Sequence, residues 1–322
     1  MYVRYFNLRD RPFRMSPDPD FLYLSPVHRE ALAALNYSIG KMLGFVSLTG
    51  EVGTGKTMML KAYLETTPRE KVKAVYLYNP ELSFEELVRE MYRELALPSK
   101  PRDLSQAVRW LHTYLIRSYR KNRRVVVFVD EAHLLPVETL ERLRILSNLE
   151  STKHKLLQIV LSGQPELDEI LNLHELRQLK QRIAVSATLA PLTFDESVEY
   201  LKHRIERVAT TDECPFEEKA LRKIATYAKG IPRVLNTVAE NALLSGYGQQ
   251  VKPVTQRVVR EVIRDLSKKD SARRDHRDVR VGDVVRSRVL LRTSPKGAAG
   301  NASNSGSALD SRSGSMAELE SR

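Results

Sequence analysis

The chain has 322 residues, 42% hydrophobic and 29% charged, with a formal net charge of +12 and one cysteine, Cys214. That composition suits a folded core of one large or two smaller domains and excludes an intramolecular disulfide or a Cys-cluster metal site. No apolar run nears the roughly 18–20 residues of a membrane span, and the charged opening Met1-Tyr-Val-Arg-Tyr-Phe-Asn-Leu-Arg-Asp10 lacks the apolar block of a signal peptide. A cytoplasmic protein is expected. The basic balance permits nucleic acid or an acidic membrane surface as partner, although Lys and Arg are interleaved with acids as on an ordinary solvated surface.

Residues 1–25 are rich in aromatics and prolines. The prolines forbid a continuous helix, and the aromatics predict a strap packed against the domain that follows. Pro26 to Lys41 reads as a helix with Ser25 as N-cap and Pro26 at its first position. Gly44-Phe-Val-Ser-Leu-Thr49 reads as a buried strand. It runs into Gly50-Glu-Val-Gly-Thr-Gly-Lys-Thr57, the Walker A pattern, and a helix begins at about Lys56. The glycines let several backbone N–H groups converge on a phosphate, and the helix N-terminus adds positive potential. Lys56 is placed to reach the β- and γ-phosphates, and the Thr57 hydroxyl to ligate Mg²⁺. Gly50, Glu51, Val52, Gly53, Thr54, Gly55, Lys56, Thr57 and Met58 are therefore the candidate nucleotide-binding residues. The aromatic strap just upstream either lines an adenine pocket or is plain core packing.

Val72 to Tyr78 reads as a second strand. Ser83 and Glu86 form a capping box that opens a helix to about Leu95. Leu104 to Tyr119 has helical spacing, with Trp110 as packing. The apolar strand Val125-Val-Val-Phe-Val129 then ends in Asp130-Glu131, a Walker B pattern. Asp130 would hold Mg²⁺ through its water shell, and Glu131 would polarise the attacking water. His133, close behind, is given no role. Leu140 to Leu149 reads as a helix and Leu156 to Leu161 as a strand, with Gln164 just past its tip as a candidate γ-phosphate sensor. Glu175 to Arg182 reads as a helix and Ala184 to Thr188 as a short strand. Strands alternating with helices predict a parallel α/β sheet with ligands at the strand C-termini.

After Pro191 the pattern is helical: Thr193 to Val208, Pro215 to Ala228, Pro232 to Gly246 and Thr255 to Leu266. Arg233, at the start of the third, could reach back over the nucleotide. The implied division is 1–190 for strap and nucleotide-binding α/β domain, 191–266 for a helical lid, and 267–322 for a basic, low-complexity, disordered tail.

Walker A, Walker B, Gln164, Arg182 and Gly230-x-Pro-Arg233 together resemble an AAA+ ATPase. Tyr5-Phe-Asn-Leu-Arg-x-x-Pro-Phe13, Pro17-Asp-Pro-x-Phe-Leu-Tyr23 and Ser162-Gly-Gln-Pro-Glu-Leu167 resemble more narrowly the ATPase domain of general secretion pathway protein A, the ExeA type. Similar proteins serve MSHA-type pilus biogenesis and exopolysaccharide export. The resemblance spans about residues 1–266. It implies a five-stranded P-loop sheet with a helical lid, Mg²⁺-dependent ATP hydrolysis, and a homo-oligomer with ATP at protomer interfaces. It further implies protein partners in a secretion or surface-assembly system and a place at the periphery of the inner membrane. By that similarity Arg182 matches the arginine finger, with Arg177 in reserve, Gln164 the sensor 1 position and Arg233 the sensor 2 arginine. Secretion proteins of this type usually continue into a transmembrane helix and a peptidoglycan-binding domain, of which this sequence shows neither. The same subfamily resembles the DNA-binding target-selection ATPases of transposition, so an ATP-dependent DNA-binding protein is the alternative.

Overall fold

A computed structural model describes residues 1–16, 18–68, 70–77, 81–97, 101–151 and 154–268. The expected disordered tail lies, from residue 269 on, outside the described residues, as does residue 78 of the second predicted strand. Five strands alternate with helices: β1 (Phe45–Gly50), β2 (Val72–Leu77), β3 (Arg124–Val129), β4 (Leu157–Gly163) and β5 (Ile183–Leu189). All pair in parallel, in the order β2-β3-β4-β1-β5. The period-2 alternation of β3 sorts its side chains onto two faces. Val125, Val127 and Val129 join one core, and Val126 and Phe128 the other.

The helices before the last strand are α1 (Tyr2–Tyr5), α2 (Pro26–Lys41), α3 (Lys56–Thr66), α4 (Phe84–Glu94), α5 (Leu104–Arg120), α6 (Val137–Ser147), α7 (Glu166–Leu171) and α8 (Arg177–Lys180). Ser25 caps α2, accepting from the His28 N–H, and the Ser83–Glu86 box is formed at α4. Two helical expectations in this part of the chain need correction. The helix expected over 140–149 starts at Val137 and ends at Ser147, because Pro136 supplies the preset φ at its entry. The segment expected over 175–182 is a single 3₁₀ turn, His174–Leu176, followed by the four residues of α8. Only Leu176 and Leu179 anchor it in the core, too few for a longer amphipathic helix. Arg182 therefore lies outside any helix, and α7 went unread.

After β5 come α9 (Phe194–Glu206), α10 (Glu218–Ala228), α11 (Pro232–Gly248) and α12 (256–268). Thr193 and Glu196 form the expected capping box of α9. α10 starts three positions later than the sequence pattern indicated, because Phe216 pairs as an isolated bridge with Val254 instead. These helices share a third core with the strap. Tyr2, Phe6, Leu8, Phe13 and Phe21 are buried among residues of α9 to α12, not against the sheet. The sheet's two faces are already covered by α2 and α3 on one side and α4 to α6 on the other, so the strap fills the remaining apolar face. Arg204 fixes it there. Its buried guanidinium donates from Nε to Pro12 O at 2.6 Å and from Nη2 to Arg14 O at 3.4 Å, and its Cζ lies 4.7 Å from the Phe21 ring centroid.

Gly230, at φ +79°, lies where a Cβ would stand 2.0 Å from Leu192 O. Both the left-handed backbone and the close approach require glycine. Gly230→Ala is therefore expected to destabilise the fold by about 2–4 kcal/mol, read as a lower urea midpoint at unchanged slope.

Candidate functional site

The parallel order brings three strand ends together. β4 lies between β3 and β1, so the Gly163-Gln164 tip sits between the loop after β3 and the phosphate loop after β1. That loop closes over α3, which begins at Lys56. Gly53 has φ +85°, and a Cβ there would meet Arg233 Cβ at 2.6 Å. The Arg233 N–H also donates to Gly53 O at 3.3 Å. Arg233, at the first turn of α11, thus sits directly on the phosphate loop.

Lys56 is buried and donates from Nζ to Gly50 O at 2.6 Å and Glu51 O at 3.0 Å. Burial pushes its ammonium pKa down, while Glu131, Asp130 and Glu51 oppose the shift. The Thr57 hydroxyl donates to Asp130 Oδ2 at 2.7 Å. Two hydroxyls that the sequence reading passed over complete the setting of Asp130: Tyr76 donates to Oδ2 and Ser162 to Oδ1, each at 3.0 Å. A hydroxyl near the C-terminal end of a mostly apolar strand was the available signal for both. Glu131 adopts a left-handed backbone, φ +53°, unusual for a non-glycine residue. Its side chain lines the cleft beside Gly53 to Met58.

The strap reaches the same cleft. Arg14, Met15, Phe21 and Tyr23 line it together with Arg204 and Arg233. The buried aromatics of the strap are core, and its residues 14–16 and 21–23 form a wall of the cleft. His28 was also unread. Its Nδ1 lies 2.7 Å from Ser25 Oγ and its Nε2 3.1 Å from Thr54 O, so it braces the phosphate loop from α2. Burial pushes its pKa down and keeps the ring neutral near pH 7.

Gln164 and Arg182 are not among the residues that line the cleft. Gln164 faces His133, with its Nε2 3.0 Å from His133 Nε2. Arg182 is tied to the end of α6: Nη1 donates to Arg144 O at 3.0 Å, to Asn148 Oδ1 at 2.7 Å and to Ser147 Oγ. Arg177 is exposed on α8.

Residues 42–171 match the family model described as an AAA domain. This chain carries an AAA domain. Over 251 residues, 77% of its length, the chain is 41% identical to General secretion pathway protein A of Aeromonas hydrophila. It resembles the ExeA-type AAA+ ATPases and spans less than half of that relative, 45% of its length. Among solved structures, the ORC2 protein of Aeropyrum pernix in its ADPNP–ADP complexes has a TM-score of 0.62 at 19% identity, covering 80% of this chain and 72% of that one. Cdc6p of Pyrobaculum aerophilum has a TM-score of 0.61 at 20% identity, covering 80% and 71%. These likenesses establish the shared fold, a five-stranded parallel sheet followed by helices. The AAA domain and its phosphate loop make this a nucleotide-binding protein. Among the described residues, no helix is long and apolar enough to cross a membrane.

Proposed function

We propose that the chain hydrolyses ATP in an Mg²⁺-dependent reaction and that the cycle drives or regulates assembly of a secretion, pilus or polysaccharide-export machine. The observation that carries the chemistry is the 2.7 Å contact between Thr57 Oγ1 and Asp130 Oδ2, made in the cleft that also holds Lys56 and Glu131. Thr57 and Asp130 are hard oxygen donors at the end of the phosphate loop, a set that fits Mg²⁺. When bound, that ion would neutralise charge on the phosphate oxygens. The chain's own residues do the rest. Backbone N–H groups of 50–57 and Lys56 hold the phosphates, Arg233 closes on them from α11, and Glu131 orients and deprotonates the attacking water. The assembly role is supported by the 41% identity to the Aeromonas protein, whose name places it in general secretion.

Phosphate release by purified protein, with and without Mg²⁺ and with and without duplex DNA, tests this reading. Mg²⁺-dependent release indifferent to DNA supports it. Release that requires duplex DNA and falls with salt would favour the DNA-binding alternative instead. No release under any of these conditions would sink both.

ATP shared between protomers of a homo-oligomer, with Arg182 reaching a neighbour's γ-phosphate, is part of the proposal. Arg182→Ala should then lower hydrolysis by about 10³-fold and leave nucleotide affinity intact. Mixing Arg182→Ala with Glu131→Gln should restore part of the rate, because each variant supplies what the other's site lacks. No recovery on mixing, with Arg177→Ala also fully active, would argue against a finger in trans.

A further inference from the structure

His133 occupies the 3₁₀ turn Ala132–Leu134 that follows Glu131, and its side chain is only 8% exposed. It lies beside the proposed general base Glu131 and the candidate sensor Gln164 at once. Nδ1 lies 3.6 Å from Glu131 Oε2 and 3.4 Å from the Gln164 backbone N, while Nε2 lies 3.0 Å from the Gln164 side-chain amide. Among the described residues, Glu131 Oε2 is buried without a hydrogen-bond partner of its own. The ring thus stands beside an otherwise unsatisfied oxygen of the proposed general base.

A neutral imidazole carries one proton, so it cannot satisfy both sides in a single way. With the proton on Nδ1, the ring donates towards Glu131 Oε2 and accepts at Nε2 from the Gln164 side-chain NH₂. The Gln164 carbonyl oxygen then points away from the ring. With the proton on Nε2, the ring donates to Gln164 Oε1 once the amide has turned over, and Nδ1 accepts the Gln164 backbone N–H. Glu131 loses its donor in that arrangement, and the Gln164 NH₂ points away from the ring. A γ-phosphate is acceptor-only, so it favours the arrangement that presents NH₂.

We propose that His133 is a positioning residue that couples Gln164 to Glu131 through its ring tautomer. The inference rests on the hydrolytic reading above. A phosphoryl group met by Gln164 turns its amide, draws the imidazole proton to Nε2 and frees Glu131 to take a proton from water. In exchange, Nε2 takes a proton from a water molecule and the hydroxide so formed takes the proton of Nδ1, so the ring stays neutral, the water is regenerated and no proton is left on Glu131. After phosphate leaves, the amide relaxes and Nδ1–H holds Glu131 back, which ties the base to the presence of the γ-phosphate.

The test uses the full chain, with ATP and ADP as probes, and the variants His133→Ala, His133→Asn, Gln164→Ala and His133→Ala/Gln164→Ala. His133→Ala should lower kcat roughly ten- to hundred-fold, the range seen when a residue orienting a catalytic ligand is removed. Its KM for ATP and Kd for ADP should stay within about twofold of the natural chain. The double variant should lose no more than the more impaired single, because both substitutions cut one linkage. His133→Asn keeps a donor near Nδ1 but has nothing at Nε2, so it should remain impaired at an unchanged melting temperature. A natural kcat in His133→Ala or His133→Asn overturns the coupling, as does a double-variant loss equal to the product of the singles. Those results leave the hydrolytic reading standing as long as the natural chain turns over and Glu131→Gln does not. Absence of turnover in the natural chain overturns both.

Discussion

Glu131→Gln is expected to slow ATP hydrolysis by about 10²–10⁴-fold while ATP affinity changes by less than about twofold. The two side chains have the same shape, and among the described residues the phosphate loop is held without the carboxylate: Lys56 by Gly50 O and Glu51 O, and Thr57 by Asp130. What the substitution removes is a proton acceptor at the one cleft-lining carboxylate that follows β3. The variant should accumulate with ATP bound, so a filter or fluorescence assay would show stable nucleotide retention while phosphate release is nearly abolished. Equal loss of binding and turnover would instead make Glu131 a structural part of the phosphate site. Turnover at the natural rate would remove it from the reaction altogether.

Lys56→Ala is expected to weaken nucleotide binding by at least about 100-fold, some 2.7 kcal/mol. The side chain is buried, and among the described residues its direct hydrogen-bond partners are two backbone carbonyls of the phosphate loop. A buried ammonium held by neutral carbonyls has surplus positive charge available to a phosphate. Burial, which pushes its pKa down, makes that charge costly to keep without an anion. The variant relieves that cost, so the fold should survive its loss. Titration of ADP and ATP against the variant, alongside thermal unfolding, separates the two effects. Unchanged affinity would overturn the assignment of the phosphate site, whereas a collapse in melting temperature would show that Lys56 holds the loop itself. Arg is not an equivalent replacement, because its planar fork differs in shape and hydration from a compact ammonium.

The parts of the site that were legible are those written within a few consecutive residues. Gly50 to Thr57 and Asp130-Glu131 each carry their geometry locally, a loop between strand and helix and a pair at a strand end. Tyr76, Ser162, His28 and His133 were not legible, because each reaches the site through sheet register or helix packing. Tyr76 stands one strand from Asp130, and Ser162 one strand from it on the other side. No spacing in the sequence encodes that three-strand convergence. The alternation of strands and helices was readable from apolar runs, and both capping boxes from their Ser/Thr-x-x-Glu spacing. The segment around Arg182 misled because leucines at 176 and 179 have helical spacing over too short a stretch to sustain a helix. The strap was recognised as packing, yet its partner was not, since the helices that receive it come some 190 residues later.

That separation shapes how the protein is made. The Arg204 contact with Pro12 O joins positions 192 residues apart, and the core around Tyr2, Phe6 and Phe13 is completed only by α9 to α12. A ribosome delivers the strap first and its partners last, so five large apolar side chains wait while the whole sheet is synthesised. Contacts of such long range carry a high loop-closure cost and form late. The sheet and its phosphate loop can assemble as the chain emerges, but the cleft gains its wall of residues 14–16 and 21–23, and Arg233, only when α9 to α12 appear. Full nucleotide affinity is therefore a property of the finished polypeptide: a nascent or C-terminally nicked chain would hold a phosphate loop without the walls that close it.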